Sequence, residues 1–319
     1  MLYDRIINQG TLDDPDGKPD PGFALRATVN WMKALRILIE AQKIDFGKAT
    51  EFYSKQGKRN MPDREQNTVF QQLFLSLHHL SALEQFREGA TTADYARVGI
   101  LAWYYGIANA ASAMTVAQAG SWTDTHMTTA NVWDYQIAAR KMAIRPFDWR
   151  VSSLVEKTFE SEVKTYKNGS SGTLMSKPGN ATEALGAAAE YLSGSAKYYA
   201  WKVETELKKK NSEVDDFRTK KARTLRDQAL EKRRMGFVHQ AYRYRGKANY
   251  REALFLAYGL HVEKTLSGFV EDMSIVLQAF LAMAGAFAER KIGKDLWQEF
   301  VCEIDAKKAF TTNASAIWK

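Results

Sequence analysis

Residues 233–239, Arg233-Arg234-Met235-Gly236-Phe237-Val238-His239, combine the residue types needed for chemistry on a phosphate. Four residues separate Arg234 from His239. An arginine fork matches phosphate oxygens bidentately, and a histidine titrates near neutrality and can move a proton. On RNA the substrate's own 2′-OH would supply the nucleophile, so no metal would be needed. Arg234 and His239 are therefore the candidate catalytic pair if the chain is a nuclease. The competing reading is a satisfied helix histidine beside a solvated basic face.

The next residues, Gln240 to Arg251, interleave aromatic and basic side chains. Tyrosine rings stack on unpaired bases while Arg and Lys neutralise phosphates. Gly246 is expected to break a helix here and to expose the start of the next, a favourable phosphate position. A turn with its tyrosines packed inward is the bland alternative. The expected nucleic-acid-binding residues are Arg223, Arg226, Arg233, Arg243, Tyr244, Arg245, Lys247 and Arg251.

Other constellations are weaker. His78 and His79 are adjacent in a helical stretch and face different ways, and no His/Cys/Glu spacing matches a zinc site, so neither metal nor cofactor is expected. Gly169-Ser170-Ser171-Gly172 lacks the Gly-Lys-Ser/Thr ending of a phosphate-binding loop. Asp124-Thr125-His126 reads as a turn. The single cysteine, Cys302, excludes an internal disulfide, fits a reducing compartment, and reads as a small buried hydrophobe.

The Arg-x4-His stretch and the apolar helix Tyr95–Met114 resemble the higher-eukaryote-and-prokaryote nucleotide-binding (HEPN) superfamily. The resemblance implies small helical bundles and, in many members, a metal-independent RNase. It would place Arg234 or Arg233 on phosphate charge and His239 in acid–base chemistry. It also implies a microbial defence or RNA-processing setting. Met235 follows Arg234 where active members usually carry a polar residue. Counted from Arg233, the polar Arg234 takes that place with a spacer of five.

The elements that must position these residues are helices. Apolar residues recur at helical spacing over 23–43, 46–56, 62–86, 92–118, 182–210 and 294–306, while no alternating run is long enough for a strand. An all-α, multi-helix bundle is the predicted fold. Shorter segments are expected at 132–142 and 150–167, a long charged helix at 214–242, and others at 248–270 and 273–290. Gly99, Ala102, Gly106 and Ala110 should let neighbouring helices approach closely, and Thr92 or Asp94 should cap that helix. Residues 93–106 and 248–259 echo each other faintly, as two related units or by chance.

The proline-rich residues 1–22 read as a flexible arm, 23–167 as a helical bundle, 168–181 as a linker and 182–319 as a basic helical region. The chain of 319 residues carries a net charge of +8. Residues 201–251 hold sixteen Lys or Arg against seven acids, so the surplus is local. Such a strip attracts polyanions. The apolar stretch 275–288 is shorter than the roughly 20 residues a bilayer requires, and no signal peptide is evident at the start. The expectation is a cytoplasmic protein without membrane partners. It would bind RNA or single-stranded DNA and a protein partner or second copy. Its function would be that of a nucleic-acid-binding or interaction subunit. The alternatives are the endoribonuclease and a helical scaffold with a basic docking arm.

Overall fold

The computed structural model describes residues 21–88, 92–210, 216–249, 256 and 260–319. In chain order the helices are α1 (Pro21–Gln42), α2 (Phe46–Phe52), α3 (Asp63–Arg87), α4 (Thr92–Ala119), α5 (His126–Trp133), α6 (Glu156–Lys167), α7 (Ala181–Lys210), α8 (Lys220–Glu231), α9 (Phe237–Asn249), α10 (Leu260–Leu266), α11 (Phe269–Ile292), α12 (Lys294–Ala306) and α13 (Ser315–Trp318). Among the described residues no strand forms, and a single antiparallel bridge joins Val151 to Met235. The all-α expectation holds.

α4 and α11 are apolar nearly all round, and they occupy the centre. They pack on each other, with α3, α9 and α5 also against α4, and with α1, α2 and α3 also against α11. Small residues permit the close approach. A Cβ at Gly106 would meet Leu277 Cδ2 at 2.6 Å, and one at Gly99 would meet Met273 Cε at 2.8 Å. α11 is long and apolar enough to cross a membrane, but it is buried inside this bundle. The start of α4 is capped from a distance: the Glu263 carboxylate accepts from the backbone N–H groups of Thr92 and Ala93, both at 2.8 Å, in place of the local cap expected.

An aromatic spine locks the centre. Trp31 stacks on Tyr191 at 4.0 Å and meets Tyr244 at 4.8 Å and Trp103 at 5.8 Å. Phe147, Phe237 and Phe280 continue it at 4.9 to 5.6 Å. Rings from α1, α4, α7, α9 and α11 thus form one buried cluster, with edge-on and stacked pairs adding to the burial of large apolar areas.

Residues on both sides of 168–181 contribute to one hydrophobic core. Residues 168–181 are a packed connection within one core. Ser170 Oγ donates to the Thr182 carbonyl at 2.5 Å, and Asn30 Nδ2 donates to the Leu174 carbonyl at 2.7 Å. The Leu174 N–H reaches Glu190 at 2.7 Å, and Leu174 itself is buried. A Gly/Ser-rich sequence looked like a linker because glycine was needed for contact: a Cβ at Gly172 would fall 2.1 Å from the Glu183 carbonyl oxygen. Asn180 and Glu183 then cap α7 reciprocally, Asn180 Oδ1 accepting from Glu183 N–H at 3.0 Å.

Three further corrections concern helix limits. The long helix expected over 214–242 is two helices, α8 and α9, separated at 232–236. Gly246 does not break a helix, because α9 runs through it to Asn249. Pro21 and Gly22 belong to α1, proline being compatible with a first helical position. The rest of the expected N-terminal arm, and most of the 250–259 half of the internal echo, lie outside the described residues. Cys302 is exposed: α12 turns Trp297, Val301 and Ile304 inward, which rotates position 302 to the outside.

Candidate nucleic-acid interface

His239 opens the first turn of α9 and is 2% exposed. Its Nδ1 accepts from the Gly236 N–H at 3.2 Å, so the ring proton sits on Nε2, which donates to Asn131 Oδ1 at 3.0 Å. Burial pushes its pKa down to about 4; Asp134 opposes that push and Arg150 adds to it. Arg150 grips Asp134 bidentately at 3.0 and 2.9 Å, which neutralises the buried carboxylate. Arg233 and Arg234 are exposed on the connection before α9. The structure therefore does not bring Arg234 and His239 into one open cleft. His239 is neutral, and both of its ring nitrogens are engaged within the protein.

The basic–aromatic run divides between core and surface. Tyr244 is fully buried, its hydroxyl donating to the Thr28 carbonyl at 2.9 Å within the aromatic spine; it is no stacking platform for bases. Lys247 is also buried. Arg243 lies over Tyr191 and Tyr198 at 5.5 and 5.1 Å and donates to Ser195 Oγ at 3.0 Å. Helical period explains the sorting, since Ala241, Tyr244 and Ala248 share the inward face of α9. Arg251 lies outside the described residues.

The exposed cations sit instead on α7 and α8, which pack together at the edge of the bundle. Lys202, Lys208, Lys209 and Lys210 are exposed on α7. Arg218, Lys220, Lys221 and Arg223 are exposed on and just before α8, and Lys232 to Arg234 follow it. Among the described residues, only Arg218 of this set forms an ion pair, with Asp216. Arg226 is different: Asp227 and Glu204 neutralise it at 2.8 and 3.9 Å, and it covers Phe217. Trp201 is 59% exposed on α7, 6.0 Å from Tyr198, whose ring carries Lys202 Nζ at 5.5 Å. The three lysines ending α7 also complement the negative end of its dipole.

A second cluster takes in Arg245 of the expected binding residues, with partners from other helices that the sequence did not connect to it. His79 from α3, Tyr104 and Tyr105 from α4, His126 from α5, and Tyr242 and Arg245 from α9 converge. Arg245 lies 5.4 Å from the Tyr104 ring and 5.1 Å from the Tyr242 ring. His126 touches Tyr104, Tyr105 and Tyr242 at 5.3, 5.6 and 5.9 Å. Burial pushes the His126 pKa down, with Arg245 adding to the effect, and burial with His78 does the same to His79. His126 read as part of a turn because Thr125 does cap α5; the sequence signals for the cluster were the Tyr104-Tyr105 pair and the basic–aromatic run that holds Tyr242 and Arg245, without any sign that they meet.

Among the described residues, no group of His, Cys, Asp and Glu could hold a metal ion. No protein-family model, no curated protein and no solved structure matches the chain.

Proposed function

We propose that this protein binds single-stranded nucleic acid along the α7–α8 edge, as a binding subunit rather than a nuclease. One observation carries the reading: seven exposed Lys and Arg on two packed helices, and three more on the connection after α8, have no carboxylate partner among the described residues. Surface cations are usually interspersed with acids, and a strip of unpaired ones releases counterions when it meets a phosphate backbone. Trp201 and Tyr198 beside Lys202 supply the aromatic faces on which unpaired bases stack. The endoribonuclease alternative needs His239 to exchange a proton with a ligand, and its burial with both nitrogens engaged argues against that role.

Fluorescence anisotropy with labelled single-stranded RNA and DNA, in EDTA at low salt, tests the proposal. The wild type should bind without cleaving. Lys209→Glu/Lys210→Glu/Arg223→Glu should weaken binding by about tenfold or more, because each lost phosphate contact removes released counterions. Trp201→Ala should weaken it by about fivefold or more through lost stacking. Absence of binding to either polymer would contradict the proposal and leave the strip as a docking surface for an acidic protein. Cleavage in EDTA that His239→Ala abolishes would establish the nuclease.

A further inference from the structure

The Arg245 cluster has donors and no anion. Arg245 Nε is buried without an acceptor, and Arg245 Nη1 reaches only the Tyr105 hydroxyl, at 3.5 Å. The Tyr104 side chain is fully buried, and its hydroxyl has no hydrogen-bond partner. His126 and His79 meet the same rings, and neither imidazole hydrogen-bonds within the described residues. No carboxylate among the described residues pairs with Arg245.

A guanidinium lodged between two rings, with its Nε buried and without an acceptor, is expensive unless something supplies negative charge and acceptor atoms. The buried carboxylates among the described residues are paired: Asp134 has Arg150, and Asp272 has Arg36 and Lys33. Lys291 is also buried without a carboxylate partner among the described residues, over the Phe287 ring; Arg245 differs in having a buried nitrogen with no acceptor.

We infer that the α3–α4–α5–α9 junction is a binding site for a phosphoryl group. Arg245 and the Tyr104 hydroxyl donate to its oxygens, and the rings of Tyr105, Tyr242 and His126 flank whatever the phosphoryl group is attached to. A phosphoryl group satisfies each open donor at once: its oxygens accept from a planar guanidinium and from a phenol, and its charge balances Arg245. The surrounding aromatic faces suit a heterocyclic base, which makes a mononucleotide the fitting ligand. This site lies apart from the α7–α8 strip and does not depend on it.

Isothermal titration of the full chain with inorganic phosphate, ribose 5-phosphate, adenosine 5′-monophosphate and adenosine tests the inference, each against wild type, Arg245→Gln and Tyr104→Phe. The monophosphate should bind, ribose 5-phosphate and phosphate more weakly, and unphosphorylated adenosine least. Arg245→Gln should weaken the monophosphate by about tenfold or more, and Tyr104→Phe by about threefold to tenfold. Equal affinity for all three phosphates would assign the site to the phosphoryl group alone, with the rings acting only as walls. Tyr104→Phe removes one oxygen from an unpartnered position, so it should leave the thermal midpoint unchanged or raised, and it keeps the test decisive if Arg245→Gln fails to fold. No binding by any phosphate at about 10 mM, a regime of very weak affinity, would overturn the inference. So would binding that neither substitution weakens. Single-stranded RNA binding by Tyr104→Phe should match the wild type, which separates failure here from failure of the strip.

Discussion

His239 shows how one residue's surroundings decide between chemistry and structure. An Arg and a His at short spacing were legible as a pair, but nothing nearby signalled that Asn131, from more than a hundred residues earlier, would occupy Nε2. Burial of the neutral ring has a consequence for stability. The folded-state pKa of about 4 lies below the ordinary value of 6.5, so between these values the unfolded chain binds more protons. This contribution to stability is present above pH 6.5 and is lost as pH falls toward 4. The full loss is about 3 kcal/mol, from roughly 1.4 kcal/mol per pKa unit. Urea unfolding of wild type and His239→Gln at a series of pH values checks it: the acid-side loss should be smaller in the variant by about that amount, and parallel curves would refute it. Arg243, Tyr244 and Arg245 carry the same lesson. Their alternation was visible, but which of them face inward depends on the phase of α9, and that phase is set by Phe237 and Ala241 meeting the core.

At the scale of elements, apolar periodicity located α1, α3, α4, α7 and α12 closely, because each buries a long continuous stripe. It failed at 232–236, where charged residues continue on both sides and no proline marks a stop. The break exists because Met235 pairs with Val151 through backbone hydrogen bonds at 2.8 and 3.1 Å, and because Gly236 lies against Asp134. A Cβ at Gly236 would meet Asp134 Oδ1 at 2.6 Å, and Arg150 holds that carboxylate so that it cannot move aside. Gly236→Ala should therefore destabilise the fold by about 1–3 kcal/mol, read as a lower urea midpoint with an unchanged slope. An unchanged midpoint would show that the α8–α9 break does not depend on this contact.

At the scale of the whole molecule, composition and the placement of charge were legible, while the sharing of one core across residues 168–181 was not. Glycine and serine there look the same whether they leave a chain free or let it pack closely. Since Trp31 and Tyr191 stack across that divide, residues 21–167 and 181–319 produced separately should each lack a cooperative thermal transition, whereas the full chain should show one; two independent cooperative transitions would contradict this. α8 adds only Leu230 to that core and packs against α7, with its cations Lys220, Lys221 and Arg223 facing solvent. Electrostatic capture of a phosphate backbone by that edge is the central claim, and its signature is salt dependence. The measurement is affinity for single-stranded RNA across a salt series. If the strip engages about five phosphates, the logarithm of the association constant should fall with the logarithm of salt at a slope of about −3.5, and the triple substitution at Lys209, Lys210 and Arg223 should bring that slope closer to zero by about 2. A slope near zero, or one that the substitution leaves unchanged, would contradict the account.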